Sequence, residues 1–249
     1  MKNIFILTLL CCISLSSYSQ DDSDKKEKPN SEWEFDVTPY LWFASLKGDV
    51  SFLNQSVPTN VEFKDILDQL SFGAFVHFET HKGPWTIMTD LMYLKLKEDG
   101  KIGDTSITTK METDQTIWEL GGGYRIIKLE DYLKIDALLG MRYFGLKPTI
   151  DINGQNVLDK SLDFVDPYIG VRFKSINGKW INAARFDIGG FGVGSEFSWK
   201  LNLLVGYQFS NRSSMYLGYQ GYDVDYEGDN SFVYDVFTGG IITGFNFHF

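Results

Sequence analysis

Between residues 33 and 249, apolar and polar side chains alternate with a period of two, and helical periodicity is almost absent. The clearest segment is 199–209, where every odd position is apolar or aromatic and most even positions are polar. The same alternation recurs in the segments 133–143, 165–173 and 241–249. Because successive side chains of a β-strand point to opposite faces, this pattern predicts strands with one apolar face and one polar face.

Ten strands are predicted in this way, and their connections alternate in length. Short turns such as 81–84 and 177–178 join the strands at one end, and longer loops such as 47–70, 99–105, 153–160, 191–194 and 228–230 join them at the other. The predicted strands are 33–46, 71–82, 85–98, 106–127, 132–152, 161–176, 179–190, 195–210, 214–227 and 231–249. The fold class is therefore all-β: an antiparallel up-and-down transmembrane barrel of about ten strands, with short periplasmic turns and longer extracellular loops.

The placement of aromatic residues favours a membrane barrel over a soluble one. Aromatics make up 16% of the chain and gather at both ends of the apolar face, while Gly, Arg, Asp and Glu occupy the polar face. The predicted girdles contain Trp85, Trp180, Phe173, Tyr124, Phe209 and Phe249 near the turns, and Trp118, Trp199, Tyr143 and Tyr93 about one membrane span away. A secreted soluble β-sandwich or lipocalin-like barrel, with its apolar face inward, is the alternative.

The N-terminus has the features of a secretory signal peptide. A basic start precedes an apolar run from Ile4 to Leu15, and small residues lead to a predicted cleavage site after Ser19. The run of about 12 residues is too short for a spanning helix, which needs roughly 20. A lipoprotein signal using Cys11 or Cys12 is the less favoured alternative, because no small residue directly precedes either cysteine.

The predicted organisation is a cleavable signal peptide at 1–19, a flexible periplasmic tail at 20–32 and an outer-membrane barrel at 33–249. Because Cys11 and Cys12 are the only cysteines, the exported chain has none, which excludes disulfides, thiolate metal sites and cysteine nucleophiles. A formal net charge of −10 argues against nucleic acid as a partner. No later apolar run approaches the length of a spanning helix.

Three short segments resemble those of small Gram-negative outer-membrane barrel proteins. They are the signal end Ser19-Gln20, the opening strand Thr38-Pro39-Tyr40-Leu41-Trp42 and the terminal Gly244-Phe245-Asn246-Phe247-His248-Phe249. The chain resembles the OmpA-like and OmpW-like groups and a poorly characterised family of such barrels. This resemblance implies an outer-membrane location, contact with outer-membrane lipids and lipopolysaccharide, and a C-terminal signal for the barrel-insertion machinery at Phe245, Phe247 and Phe249. A monomer is favoured.

Strand parity also predicts the contents of the lumen. Seven acids and seven bases fall on the polar face: Asp36, Glu79, Asp90, Glu119, Asp136, Asp166 and Asp187, with Arg125, Lys134, Arg142, Arg172, Lys174, Arg185 and Lys200. Buried charges need partners, so a network of salt bridges that fills a narrow barrel is the favoured interpretation. A polar path for small solutes is the alternative, although a barrel of eight to ten strands leaves little free bore.

Catalysis is the third hypothesis, because barrel enzymes use histidine with an acid or a serine. His77 with Glu79 is the candidate pair, but no serine nucleophile motif accompanies it. The sequence therefore predicts a non-enzymatic barrel with a structural or surface-interaction role. A narrow channel and an enzyme acting on lipid or peptide are the alternatives, and no cofactor, metal site or catalytic residue is assigned.

Two extramembrane features complete the predictions. Phe63, Ile66, Leu67 and Leu70 share one helical face, which predicts a short helix that either caps the rim or enters the barrel mouth as a plug. The hairpin between Ile107 and Ile152 is predicted to project beyond the membrane, because its strands exceed the roughly ten residues that a span needs.

Overall fold

The structure, a computed structural model, describes residues 32–52, 55–101, 108–129, 133–159, 161–228 and 232–249. The predicted signal peptide and nearly all of the predicted tail lie outside these residues. One helix, α1, covers Phe63–Gln69. The strands are β1 Glu34–Phe52, β2 Gln55–Val61, β3 Leu70–Lys82, β4 Trp85–Lys101, β5 Thr108–Leu129, β6 Leu133–Ile152, β7 Gln155–Asp159, β8 Leu162–Asn177, β9 Trp180–Gly190, β10 Phe197–Ser210, β11 Ser213–Gly228 and β12 Phe232–His248.

Ten of these strands form a closed antiparallel barrel. Neighbours along the chain pair from β3 to β12, apart from the short β7, and β12 returns to pair with β1. The closing pair is fixed at its end by reciprocal backbone hydrogen bonds between Phe35 and Phe249, at 3.2 and 2.9 Å. The predicted all-β class and the predicted number of barrel strands are confirmed.

The two faces of the wall differ as the alternation of the sequence predicts. On β10, Leu203 and Val205 point outward and are 47% and 49% exposed, whereas Lys200 points inward and is 5% exposed. The same division holds on β6, where Met141 is exposed and its neighbour Arg142 is fully buried. The barrel therefore has an apolar exterior, and its charged side chains lie inside. No helix in the described part of the chain is long and apolar enough to cross a membrane.

The loop end of the barrel is more ordered than the sequence predicted. The segment 47–70 was expected to be a loop around a short helix, but β1 continues to Phe52 and turns back into β2 before α1 begins. The segment 153–160 likewise contains β7, which pairs with β6. These hairpins keep backbone groups hydrogen-bonded beyond the span that a membrane requires, and short alternating segments interrupted by Pro58 or Gly154 gave little sequence signal for them.

Inside the barrel, apolar and aromatic side chains fill the half toward the long loops. This apolar cluster contains Tyr40, Trp42, Ala44, Met92, Ile117, Phe144, Phe164, Tyr222, Val224, Tyr234, Val236 and Ile242. On the turn side of this apolar cluster, inward-facing glycines make room for the ring of Tyr168. A Cβ on Gly140 would lie 2.5 Å from the hydroxyl of Tyr168, and one on Gly121 would also collide with that hydroxyl. Tyr168 consequently lies flat against the inner wall and is fully buried.

Helix α1 lies at the wall between β1 and β4. Phe63 packs edge-on against the outward-facing Phe43, with ring centroids 5.1 Å apart, and Ile66 is buried. The side-chain amide of Gln69 donates a hydrogen bond to Glu98 of β4 at 3.1 Å. Leu67, expected on the packed face of the helix, is exposed.

Candidate functional site: the charged lumen

Glu119 of β5 lies at the centre of the lumen and binds three cations. Its Oε1 accepts hydrogen bonds from Nε of Arg142 at 2.9 Å and from Nζ of Lys200 at 2.7 Å. Its Oε2 accepts from Arg185 at 2.8 Å. These bases come from β6, β10 and β9, so one carboxylate connects strands on different sides of the barrel.

Asp187 and two tyrosines complete this central cluster. Asp187 accepts hydrogen bonds from Arg142 at 2.6 Å and from Arg185 at 2.9 Å. The guanidinium of Arg142 lies over two rings, 5.1 Å from Tyr168 and 4.7 Å from Tyr222. Because charge-assisted hydrogen bonds and cation–π contacts act together on groups removed from water, the cluster is a rigid barrier across the bore.

A second cluster lies nearer the tight turns and is organised by Arg172. This side chain binds Glu79 through NH1, at 2.6 and 2.7 Å, and Asp136 through NH2, at 2.7 Å. Asp136 also accepts from Nε of Arg125 at 3.2 Å. The cluster joins β3, β5, β6 and β8 and again spans the lumen.

All three histidines of the chain lie in or beside this second cluster. His77 has Nδ1 3.1 Å from Asp90 and Nε2 3.2 Å from Glu79. His81 lies 2.7 Å from Glu79, and His248 lies 3.1 Å from Asp36. Carboxylates only accept hydrogen bonds, so the pairing of both ring nitrogens of His77 with carboxylates corresponds to the doubly protonated imidazolium.

Three members of the predicted charge network take part in none of these ion pairs. Asp166 accepts hydrogen bonds from the backbone and hydroxyl of Ser195, at 2.7 and 2.6 Å, and from the hydroxyl of Ser198 at 2.9 Å. It therefore holds the β9–β10 loop against the wall. Lys134 and Lys174 lie near the tight turns and remain outside both clusters.

A cavity of about 170 Å³ lies between the two clusters and the tight-turn end. Its walls are mixed: His77, Glu79 and Arg172 are charged or polar, while Leu204 and Ile242 are apolar. Toward the long loops, the central cluster and then the apolar cluster close the lumen. Among the described residues, no three His, Asp or Glu side chains are placed to hold a metal ion.

A sheet that returns on itself, with its charged residues paired inside and large apolar side chains exposed outside, is suited to a bilayer and not to water. The chain is a small outer-membrane β-barrel protein. The expected class and location are thereby confirmed, and the tight turns and long loops are its periplasmic and extracellular ends. The outward positions of Phe245, Phe247 and Phe249 place all three aromatic rings on the lipid-facing surface.

Solved outer-membrane barrels are similar to this protein at low identity. Ail, the attachment invasion locus protein of Yersinia pestis, is 13% identical, with 87% of this chain and 98% of that chain covered and a TM-score of 0.37. The translocator domain of the autotransporter NalP from Neisseria meningitidis is 11% identical over 87% and 88% of the two chains, with a TM-score of 0.41. Neisserial surface protein A is 11% identical over 86% and 96%, with a TM-score of 0.31. No protein-family model and no curated protein sequence matches the chain.

The predicted charge network does not include several uncharged side chains of the lumen that contact its members. The hydroxyl of Tyr40 donates to Asp90 at 2.7 Å, and the amide of Asn246 donates to Asp36 at 2.7 Å. Tyr168 and Tyr222 are stacked on Arg142 as described. All four occupy inward positions. Strand parity places Asn246 and Tyr168 on the polar face, but it does not predict the partner of any of the four.

A further charged group lies on the extracellular extension of the wall. Glu112 is paired with Lys110 at 2.6 Å, and with Lys95 and Lys97 at 3.2 Å each. These hydrogen bonds lower the pKa of Glu112 from 4.5 to about 2. The same contacts with Glu112 raise the pKa of Lys110 and of Lys95. The group links β4 to β5 above the membrane.

Proposed function

We propose that this protein is a closed, non-enzymatic barrel with a structural or surface-interaction role. The observation that carries the proposal is the occlusion of the lumen by two successive layers. The central cluster blocks the bore with Arg142, which is 0% exposed, and the apolar cluster blocks it again on the extracellular side with Phe144 and Val236. A hydrated ion crossing the barrel would have to displace a buried salt-bridge network and then an apolar layer, and both steps are costly.

Single-channel recording on the refolded protein in planar bilayers tests the closed lumen. We expect no conductance steps from the wild type. A variant with Glu119, Arg142 and Phe144 replaced by serine removes large side chains from both layers and serves as the conducting control. Steps from the wild type at the amplitude of this control would refute the proposal and favour the narrow channel.

The arrangement of His77 supports the absence of catalysis. Both of its ring nitrogens are paired with carboxylates, and Glu79 is itself bound to Arg172 and His81. A general base needs a free nitrogen within reach of a substrate proton. We expect His77→Gln and Glu79→Gln to leave the lipid A species of the host membrane unchanged, and a difference in those species between wild type and variants would favour an enzyme.

The extracellular strand extensions support a surface-interaction role. β5 and β6 have 22 and 20 residues, about twice what a membrane span requires. The outward-facing ammonium groups of Lys95, Lys97 and Lys110, which pair with Glu112 and Asp114 in the protein alone, are donors for the phosphates of lipopolysaccharide, the partner we propose. Replacing Lys95, Lys97 and Lys110 by glutamine should weaken retention of lipopolysaccharide on the immobilised protein, whereas the same change at periplasmic Lys134 and Lys174 should not. Equal retention by both variants would remove this role.

The C-terminal aromatic residues support recognition by the barrel-insertion machinery, which we also propose. Phe249 is 73% exposed on the outer face and its backbone closes the barrel on Phe35. Phe249→Ala should reduce the amount of heat-modifiable protein in the outer membrane while leaving spontaneous refolding in detergent intact. A normal amount in the membrane would contradict the proposed signal.

A further inference from the structure

The barrel wall is interrupted on one side, between β1 and β3. The two strands pair only from Glu34 to Pro39, opposite Val76 to His81. From Tyr40 to Ser45, β1 pairs with β12 alone, and beyond that point its second neighbour is β2. The upper part of β3, from Leu70 to Phe75, pairs with β4 alone. We call this gap, between 40–45 and 70–75, the lateral slit.

The slit exposes strand edges where neither strand has its expected partner. Phe35 directs its backbone N–H and C=O toward Phe249 of β12, and along a strand these groups point alternately to the two neighbouring strands. The backbone groups of Tyr40, Trp42 and Ala44 are therefore directed away from β12, toward the slit. An open edge at the depth of the membrane is strongly disfavoured unless something covers it. At the bottom of the slit the rings of Tyr40 and Phe75 are 5.6 Å apart, and at its top α1 connects β1 to β4. Packed elements thus mark both ends of the slit.

Both sides of the slit are apolar. Its inner side opens on the apolar cluster through Trp42, Ala44 and Met92, which are buried. Its outer side is flanked by Leu41 and Phe72, each 55% exposed and continuous with the lipid-facing surface. The slit lies in the extracellular half of the barrel, so it opens toward the outer leaflet. Among the described residues Trp42 is one of few whose buried polar atom, here Nε1, has no hydrogen-bond partner.

We propose that the lateral slit binds an acyl chain of an outer-leaflet lipid, which enters from the membrane and packs on Trp42. The slit is continuous with the surface that already contacts lipid, so its occupant comes from that environment. An unpaired strand edge at the depth of the membrane needs a cover, and an acyl chain is the extended group that the surrounding lipid supplies. The free indole N–H of Trp42 is a donor for the carbonyl that begins such a chain. This site is distinct from the closed axial bore and does not depend on it.

Quenching of Trp42 by brominated lipid tests the proposal. Phenylalanine replaces Trp33, Trp85, Trp118, Trp180 and Trp199, and the protein is refolded into phosphatidylcholine vesicles with bromine on the acyl chains. We expect Trp42 to lose as much fluorescence as Trp118 does in the matching variant that retains only the lipid-facing Trp118. The second control is a variant whose only tryptophan is Phe144→Trp, an inward position away from the slit, and it should lose far less. Equal weak quenching of Trp42 and the Phe144→Trp variant would overturn the proposal.

A reversible disulfide distinguishes entry through the slit from quenching through the wall. Continuing the register beyond Pro39 and Val76 brings Leu41 opposite Ala74, and Leu41→Cys with Ala74→Cys should close the slit on oxidation. The only native cysteines are Cys11 and Cys12, in the predicted signal peptide, so the exported chain offers no competing thiol. Oxidation should abolish the quenching of Trp42, and reduction should restore it.

The control disulfide joins Val37→Cys to Phe78→Cys, a pair that is already in register below the slit. It should leave the quenching unchanged in both redox states. If Trp42 is quenched equally with the Leu41→Cys/Ala74→Cys disulfide oxidised and reduced, bromine reaches Trp42 through the wall. That result would refute the slit as the route. Trp42 could also be protected from quenching in protein extracted from membranes and become quenched only after refolding. That result would show that a polypeptide strand covers the edge, and it would refute a lipid ligand.

Discussion

Replacing Glu119 by glutamine removes the negative charge, and one of the two acceptor oxygens, that bind three cations in the centre of the lumen. Arg142, Arg185 and Lys200 lie 2.7–2.9 Å from its two oxygens, and Asp187 is the other carboxylate in direct contact with the two arginines. In Glu119→Gln, Arg142 and Arg185 share Asp187, and Lys200 loses the carboxylate that it contacts. Breaking one partner of a buried pair costs about 3–5 kcal/mol, because the charge left behind is neither paired nor hydrated.

This destabilisation corresponds to a loss of about 100-fold to 5000-fold in the folding equilibrium constant, at about 1.36 kcal/mol for each factor of ten. Urea titration in phospholipid vesicles, followed by tryptophan fluorescence and by heat-modifiable gel mobility, measures it. Glu112→Gln is the matched control, because its carboxylate is also bound by three cations but lies in solvent, and its effect should be much smaller.

Lys200→Met in the Glu119→Gln background tests the assigned cause. If the unpaired cation is what destabilises the variant, removing it should recover part of the loss, with a coupling free energy of about 1–3 kcal/mol in the double-mutant cycle. A Glu119→Gln protein within about 1 kcal/mol of wild type, or a cycle with zero coupling, would refute this account of the central cluster.

Three further predictions concern packing, the extracellular loops and pH. Gly140→Ala should destabilise the barrel by about 1–3 kcal/mol in the same titration, because its Cβ meets both Tyr168 and the backbone oxygen of Leu120. Gly122→Ala, whose Cβ would have its nearest neighbour at 3.6 Å, should be tolerated, and equal effects would contradict this close packing of the inner wall. Asp166→Asn should release the loop at 191–196 and raise the rate of amide hydrogen exchange in that loop. The periplasmic turn at 178–179 is the internal control. An unchanged exchange rate in the loop would show that Asp166 does not hold the loop. The carboxylate of Glu112 should titrate in carbon NMR with a midpoint near pH 2, and Lys110→Gln should raise that midpoint. Since the folded pKa is below the ordinary 4.5, the contribution of Glu112 to stability is present above pH 4.5 and is lost as the pH falls toward 2. A midpoint near pH 4.5 would refute the assigned contacts.

The alternation of residues was sufficient to predict the architecture, because a strand in a bilayer must direct every second side chain to lipid. It placed Leu203 outside and Lys200 inside without knowledge of their neighbours. It could not predict that Lys200 pairs with Glu119, since these residues lie on β10 and β5 and meet only through the curvature of the closed barrel. Partner choice depends on strand tilt and side-chain reach, neither of which period-two patterning encodes.

The extracellular end shows a second limit. Asp166 fell on the inward face and was grouped with the lumen charges, yet the loop carrying Ser195 folds back and supplies its hydrogen bonds. Sequence separation alone gives no indication of such a return. The interruption between β1 and β3 was also hidden, because each strand on its own alternates normally and only the pairing register reveals that they separate after Pro39.

The reciprocal bonds between Phe35 and Phe249 place the two ends of the barrel sequence side by side. The pair that closes the barrel is therefore made by the first and the last of its strands to be synthesised. Until the last strand is available, both margins of the sheet lack a partner and the barrel cannot close. The same adjacency should allow the order of the strands to be rearranged: a short linker joining the ends and a new opening at Gly178 would preserve every neighbour in the barrel.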